Sequence, residues 1–122
     1  MMHHRYLLAI LNGATSIIEC GTSFGVTTIY LALALNQNTQ SQREKESGVL
    51  TIEKDGNKVA KAKRIWEEAG KDVESWIDVR EGNLLEVLEQ DDILPPVVDL
   101  VFLDGKFYAY AIPVKDVAYR PF

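Results

Sequence analysis

One cysteine, Cys20, stands in a chain of 122 residues. Alone it closes no intramolecular disulfide, which excludes a small cross-linked scaffold and fits a reducing compartment. It lies inside an apolar run, where a packed thiol is the expected state rather than a nucleophile. Histidine is almost as scarce, with two residues. His3 and His4 are adjacent, so on a helix they point in different directions and make no metal pair. Long apolar runs are missing: none approaches the roughly 20 residues that a membrane span needs. Tyr6–Leu11 is too short for the apolar core of a signal peptide, and no small-residue cleavage site follows it cleanly. The expectation is a soluble, cytoplasmic protein with no membrane partner. Positive charge is in deficit, 13 Lys and Arg against 18 Asp and Glu, for a formal net charge of -5. A general nucleic-acid binder carries a basic footprint, so no nucleic-acid partner is expected. No internal repeat is present either.

What the chain does have is apolar content, 47% of its residues, enough for a real core in one domain. Met2–Asn12 reads as a short helix that Gly13 closes. Ile17–Cys20 is a short apolar run between turn residues, hence a buried strand. Thr27–Leu35 is a strongly apolar helix lying against a sheet, and the polar, aperiodic residues 36–47 read as a surface loop. Val49–Glu53 is the second strand. Over Asn57–Ala69, Val59, Ala62, Trp66 and Ala69 recur at helical spacing, and Gly70 ends the helix. Trp76–Arg80 is the third strand, and Asn83 caps a short helix through about Glu89. Val97–Asp104 is apolar at nearly every position, as a central parallel strand is. Lys106–Tyr119 is read as the start of another helix, which Pro113 must enter in the first turn or interrupt. Helix and strand alternate throughout, which means right-handed crossovers and an α/β fold with a mainly parallel sheet.

In such sheets ligands bind beyond the carboxyl ends of the strands. Those ends carry the informative residues. The stretch "SIIECGTSFGVTTIYLALAL" sets Gly21-x-x-x-Gly25 between a strand and a helix. Glycine there permits backbone angles closed to other residues, and the helix N-terminus offers unpaired amides. The stretch is not a phosphate-binding P-loop, because no Gly-Lys-Ser/Thr follows, and it does not match Gly-x-Gly-x-x-Gly. Glu19, acidic at the end of a buried strand, needs a partner. Glu53 ends the second strand, where a carboxylate accepts from ribose hydroxyls or simply opens a charged run with Lys54 and Asp55. Gly82-Asn83 after the third strand offers backbone donors to an adenine edge, or only a turn and a cap. Asp104 after the fourth faces a ligand, a metal or a cap.

In that order, Glu-x-Gly-x-x-x-Gly, Glu, Gly-Asn and Asp resemble the class I methyltransferases that use S-adenosylmethionine. The chain is most similar to the small-molecule O-methyltransferases of the catechol and caffeoyl-coenzyme A type. The segments that carry the resemblance are "IIECGTSFGVTTIYLA", "VLTIEKD", "VREGNLLEVL" and "VDLVFLDGKFYAY", over about residues 16–114. It implies a Rossmann-like, doubly wound sheet, here partial, with about four strands in the order 3-2-1-4. It implies that Glu19, Gly21, Thr22 and Gly25 shape the pocket for the methionine part, and that Thr27 hydrogen-bonds its carboxylate. Glu53 would hold the ribose, while Gly82, Asn83 and Leu84 would border the adenine. Asp104 would border the cofactor and match the first ligand of a divalent cation such as magnesium, with Tyr110 beside it. Asp104 and Lys106 are the catalytic candidates, although the family's lysine follows this aspartate by three positions and Phe107 stands there. Asn83 replaces a usual aspartate.

The reaction implied is transfer of a methyl group from the sulfonium to a hydroxyl of a small-molecule acceptor. Family members continue beyond the fourth strand for longer than this chain, so residues 1–122 are read as one C-terminally incomplete domain. Two activities stay open: an O-methyltransferase, or a catalytically inactive S-adenosylmethionine-binding or interaction module derived from one. The Thr22-Ser23 pair and the Asp104 strand end favour both over a nicotinamide-dependent domain. A sheet ending at its fourth strand would expose an apolar edge, which invites pairing; a homodimer is the partner expected on that ground.

Overall fold

A computed structural model describes residues 9–10, 13–40, 47–90, 95, 98–104 and 109–113, with the backbone alone for 104 and 109–113. Five strands form one sheet in the order β3-β2-β1-β4-β5. β1 (Ser16–Cys20) and β2 (Gly48–Glu53) are buried at every position. Their apolar residues run without alternation because helices cover both faces. β3 (Ile77–Glu81) lies at the edge and is only partly covered. β1 pairs in parallel with β2 on one side and β4 (Leu100–Asp104) on the other, and β3 pairs in parallel with β2. The four-stranded parallel sheet of order 3-2-1-4 expected from the sequence is therefore present.

The fifth strand is a correction. β5 (Ala109–Pro113) runs antiparallel along β4, with Asp104 opposite Ala109 and Leu100 opposite Pro113. A helix was expected over Lys106–Tyr119. Alternation of Tyr110 and Ile112 with alanine suits a strand, and proline is tolerated at a strand's end but not inside a helix. β5 also covers the edge that β4 would have exposed, which removes the stated ground for a second copy there.

Two apolar layers sandwich the sheet. Ile17, Val49, Leu100 and Phe102 meet Leu31 and Leu35 of helix α1 (Val26–Asn38) on one face. Ile18, Cys20, Leu50 and Ile52 meet Val87 of helix α4 (Leu84–Leu88) on the other. Each such fully buried side chain contributes roughly 1.5–3 kcal/mol of transfer free energy. Helix α2 (Gly56–Ala69) buries Val59, Ala62 and Trp66. Ala69 of the expected stripe is exposed, because Gly70, at φ 102°, turns the chain into the short helix α3 (Lys71–Glu74).

Helix α1 outruns its expected end at Leu35. The side-chain NH2 of Asn38 donates to the carbonyls of Ala9 (3.0 Å) and Ala14 (2.8 Å), and the Thr39 hydroxyl donates to the Leu35 carbonyl (2.8 Å). Residues read as loop for their polarity thus bond to backbone and finish the helix. Of the expected helix Met2–Asn12, residues 9–10 are helical and the remainder lies outside the described residues. Its closure at Gly13 is present: at φ 60°, Gly13 donates to Ile10 (3.0 Å) and Ala14 donates to Ala9 (3.1 Å), the paired bonds of a glycine-terminated helix.

Asp99 fastens the amino end of the sheet. Its Oδ2 accepts from the Thr15 amide (2.8 Å), the Thr15 hydroxyl (3.1 Å) and the Ser16 amide (3.2 Å). Asp99→Ala is expected to cost about 2–4 kcal/mol, since it strands amides that burial hides from water. Urea unfolding checks this; an unchanged midpoint would contradict it. Among the described residues, no helix is long and apolar enough to cross a membrane.

Candidate functional site

The loop after β1 folds back onto the carboxyl end of β2. The Ile52 carbonyl accepts from both Gly21 (2.9 Å) and Thr22 (3.1 Å). Three of five residues have left-handed backbone: Gly21 at φ 101°, Ser23 at 53° and Gly25 at 87°. For Ser23 that conformation costs about 1–2 kcal/mol. The compensation is its amide, which donates to Glu53 Oε1 at 2.7 Å, a charge-assisted bond worth about 1.5–3 kcal/mol.

Gly25 is fixed from outside. A Cβ there would lie 2.7 Å from the Ala62 Cβ and 2.8 Å from Trp66 Nε1. The Gly25 carbonyl accepts the Trp66 indole N–H at 2.9 Å. The space that this glycine leaves open is thus filled by α2. Between the glycines, Phe24 is half exposed, with the Lys58 and Lys61 ammonium groups each 5.6 Å from its ring centre; such exposed contacts are worth about 0.5–1 kcal/mol each.

Glu53 is buried, and its two oxygens are shared out. Oε1 takes the Ser23 amide, and Oε2 takes the Asp55 amide at 3.1 Å. Each carboxylate oxygen accepts about twice, so an oriented acceptor remains on both. Asp55 does not simply continue a charged run: its side chain caps α2 through the Asn57 amide at 2.9 Å.

Glu19 is fully buried on the central strand. Its Oε1 accepts the hydroxyls of Thr28 (2.5 Å) and Thr51 (2.7 Å), and Thr22 and Thr51 share a hydrogen bond of 2.6 Å. The Thr22 hydroxyl is therefore engaged inside the protein. Thr27, in the first turn of α1, is half-buried, while its neighbour Thr28 points inward. Thr28 and Thr51 are not among the residues expected from the sequence. The available signal was register: Thr51 is the cross-strand partner of Glu19, and it shares a face of β2 with Glu53.

After β3, Gly82 donates to the Glu53 carbonyl at 2.9 Å, and a Cβ on it would meet Val87 at 2.9 Å. Asn83 caps α4 as expected, accepting the Leu85 amide at 3.0 Å. Leu84 packs against the second apolar layer, whereas Leu85 is 70% exposed. The backbone of Asp104 ends β4 beside the central strand, where Leu103 pairs with Cys20. The Asp104 and Tyr110 side chains, and all of Lys106, lie outside the described residues. Among the described residues, no group of three His, Cys, Asp or Glu side chains is placed to hold a metal. The structure thus gathers Glu19, Gly21, Thr22, Gly25, Thr27 and Glu53 around one loop, with Gly82, Asn83 and Leu84 one strand further out.

Residues 18–117 match a family described as a methyltransferase domain. The chain belongs to that methyltransferase domain family. Solved structures agree with the assignment. The O-methyltransferase TomG of Streptomyces achromogenes, involved in tomaymycin synthesis and solved in complex with S-adenosylmethionine, is 29% identical with a TM-score of 0.69. That match covers 85% of this chain and 43% of TomG. An O-methyltransferase of Bacillus cereus, in complex with S-adenosylhomocysteine, is 27% identical with a TM-score of 0.68, over 85% of this chain and 43% of that one. A search of curated proteins finds no significant match. The methyltransferase domain here thus spans less than half the length of these two solved relatives.

Cys20, at the carboxyl end of β1, is the one thiol of this methyltransferase domain. Burial, and then the Glu19 charge, push it up from 9.0 to about 11. A raised acid pKa favours the neutral thiol in the fold. The unfolded chain releases its proton first, so stability should fall as pH rises from 9 towards 11. At pH 8, alkylation of Cys20 is expected to proceed only as fast as the domain opens. Labelling with iodoacetamide, with and without urea, checks it; fast labelling of the folded domain would contradict it.

Proposed function

We propose that the carboxyl ends of β1, β2 and β3 hold S-adenosylmethionine, and that the chain is the cofactor-binding half of an O-methyltransferase acting on a hydroxyl of a small molecule. The observation that carries this is Glu53, a buried carboxylate oriented by the Ser23 and Asp55 amides at the end of β2. It has the donor-seeking oxygens that the two hydroxyls of a ribose would satisfy. The relatives solved with S-adenosylmethionine or S-adenosylhomocysteine support the reading.

In this account Glu53 fixes the ribose and thereby the direction of the whole cofactor. Gly21 and its neighbours bring main chain close to the methionine part. Thr27 and the first amides of α1 receive the carboxylate, as helix N-termini receive anions. Gly82, Asn83 and Leu84 border the adenine. Bound there, the cofactor supplies a methyl group on a sulfonium, and rate comes from holding the acceptor close and in line. Asp104 and Lys106 belong to the acceptor side. A divalent cation at Asp104 would need further oxygen ligands to complete its octahedron. The lone thiol suits a cytoplasmic setting.

The test pairs binding with turnover. The chain is dialysed against methyl-labelled S-adenosylmethionine, then given catechol-like acceptors with and without magnesium. Binding with labelled product supports the full reading. Binding without product leaves a cofactor-binding module, and no binding overturns both.

A further inference from the structure

We propose that Thr51, in the middle of β2, is a positioning residue for the cofactor loop. It acts through a hydroxyl relay that runs Thr22, Thr51, Glu19, with Thr28 closing it from α1. The inference rests on the proposed cofactor site and goes beyond it to a residue that touches no expected ligand.

The relay has a direction. A threonine hydroxyl has one hydrogen to donate. Thr51 gives its hydrogen to Glu19 Oε1 at 2.7 Å. In the 2.6 Å contact between Thr22 and Thr51, Thr22 is then the donor. Thr28 gives its hydrogen to the same Glu19 oxygen at 2.5 Å. Both ends are therefore determined: the loop side chain points inward, and the carboxylate is tied to the first turns of α1.

Stability does not explain this arrangement. All four side chains are buried between the sheet and α1, on the face that elsewhere holds Ile17, Val49 and Phe102. A buried carboxylate and its partners are often no better than apolar residues of the same shape. Valine would fill the positions of Thr28 and Thr51 without a polar atom. What the relay adds is register between loop and strand. Consecutive loop residues are gripped by consecutive residues of β2: Thr22 by the Thr51 hydroxyl, Gly21 and Thr22 by the Ile52 carbonyl, Ser23 by the Glu53 carboxylate. The first grip is made by side chains alone and can be cut while the sheet's own bonds stay.

The experiment is titration of S-adenosylhomocysteine into the 122-residue chain and into Thr51→Val and Thr51→Ser, with thermal unfolding of each. Thr51→Val keeps the shape and loses the hydroxyl; Thr51→Ser keeps the hydroxyl. Affinity should fall about tenfold in Thr51→Val, near the upper end of one hydrogen bond's net worth, and recover to within about threefold in Thr51→Ser. A merely structural role would move the melting temperature and leave the affinity of the folded protein alone. Wild-type affinity in Thr51→Val overturns the proposal, as does an equal loss in Thr51→Ser. If Thr51→Val does not fold, Thr51→Cys replaces it, being of similar size with only a weak donor. A loss of affinity in Thr51→Cys then supports the proposal, and wild-type affinity overturns it. Absence of binding by the wild type would remove the cofactor reading itself, so the two failures are told apart.

Discussion

Gly25→Ala should destabilise this domain by about 2–5 kcal/mol. Two costs combine. The backbone at φ 87° is one that an alanine enters at about 1–2 kcal/mol. The new Cβ would also stand 2.7 Å from the Ala62 Cβ and 2.8 Å from Trp66 Nε1. Neither neighbour is a flexible tip: one is bonded to helix backbone, the other belongs to a buried ring. Relief requires α2 to move away, which breaks the 2.9 Å bond from Trp66 to the Gly25 carbonyl. Overpacking of this kind typically costs about 1–3 kcal/mol. Gly13 and Gly70 are internal controls. They have φ of 60° and 102°, but a Cβ on either meets nothing within 4 Å. Gly13→Ala should therefore cost only the backbone share, about 1–2 kcal/mol, and Gly70→Ala, whose ψ of 175° lies in the extended positive-φ region, about 1–3 kcal/mol. Urea midpoints of the three variants decide the matter. Equal losses in all three would show that packing against α2 contributes nothing.

Glu53→Ala should weaken S-adenosylhomocysteine binding about 100-fold or more. The carboxylate is expected to accept two ribose hydroxyls, and hydrogen bonds to a charged group are worth about 1.5–3 kcal/mol each. The variant also frees the Ser23 amide, held at 2.7 Å, and with it the reason for Ser23 to stay left-handed. Glu53→Gln separates these effects. It keeps the volume but turns an NH2 group towards either the Ser23 or the Asp55 amide, donor against donor. It should therefore lose about tenfold. Calorimetric titration of both variants checks the order. Affinity unchanged in Glu53→Ala would mean that the carboxylate serves the loop alone.

The legible part of the fold was the part that apolar patterning controls. β1 and β2 were found within a residue or two as short apolar runs bounded by turn residues, and α2 from apolar positions that recur at helical spacing. Where polar residues serve the backbone, composition misleads. Asn38 and Thr39 looked like loop and finish a helix, since composition does not show which carbonyls lie nearby. β5 was missed because the alternation in Ala-Tyr-Ala-Ile-Pro is too short to decide a strand by itself, and its identity as a strand depends on β4 beside it. At the site, Glu53 and the glycines were visible from their places after strands. The reason for Gly25 was not, because Ala62 and Trp66, its steric partners, are brought to it only by the crossover helix. Thr28 and Thr51 were hidden in the same way, by register.

The central claim is that these strand ends form a pocket for S-adenosylmethionine. Its most direct test is calorimetric titration of S-adenosylhomocysteine, which lacks the reactive methyl group, into the wild-type chain. Saturable binding of one ligand per chain is expected. A flat titration of the folded protein would contradict it.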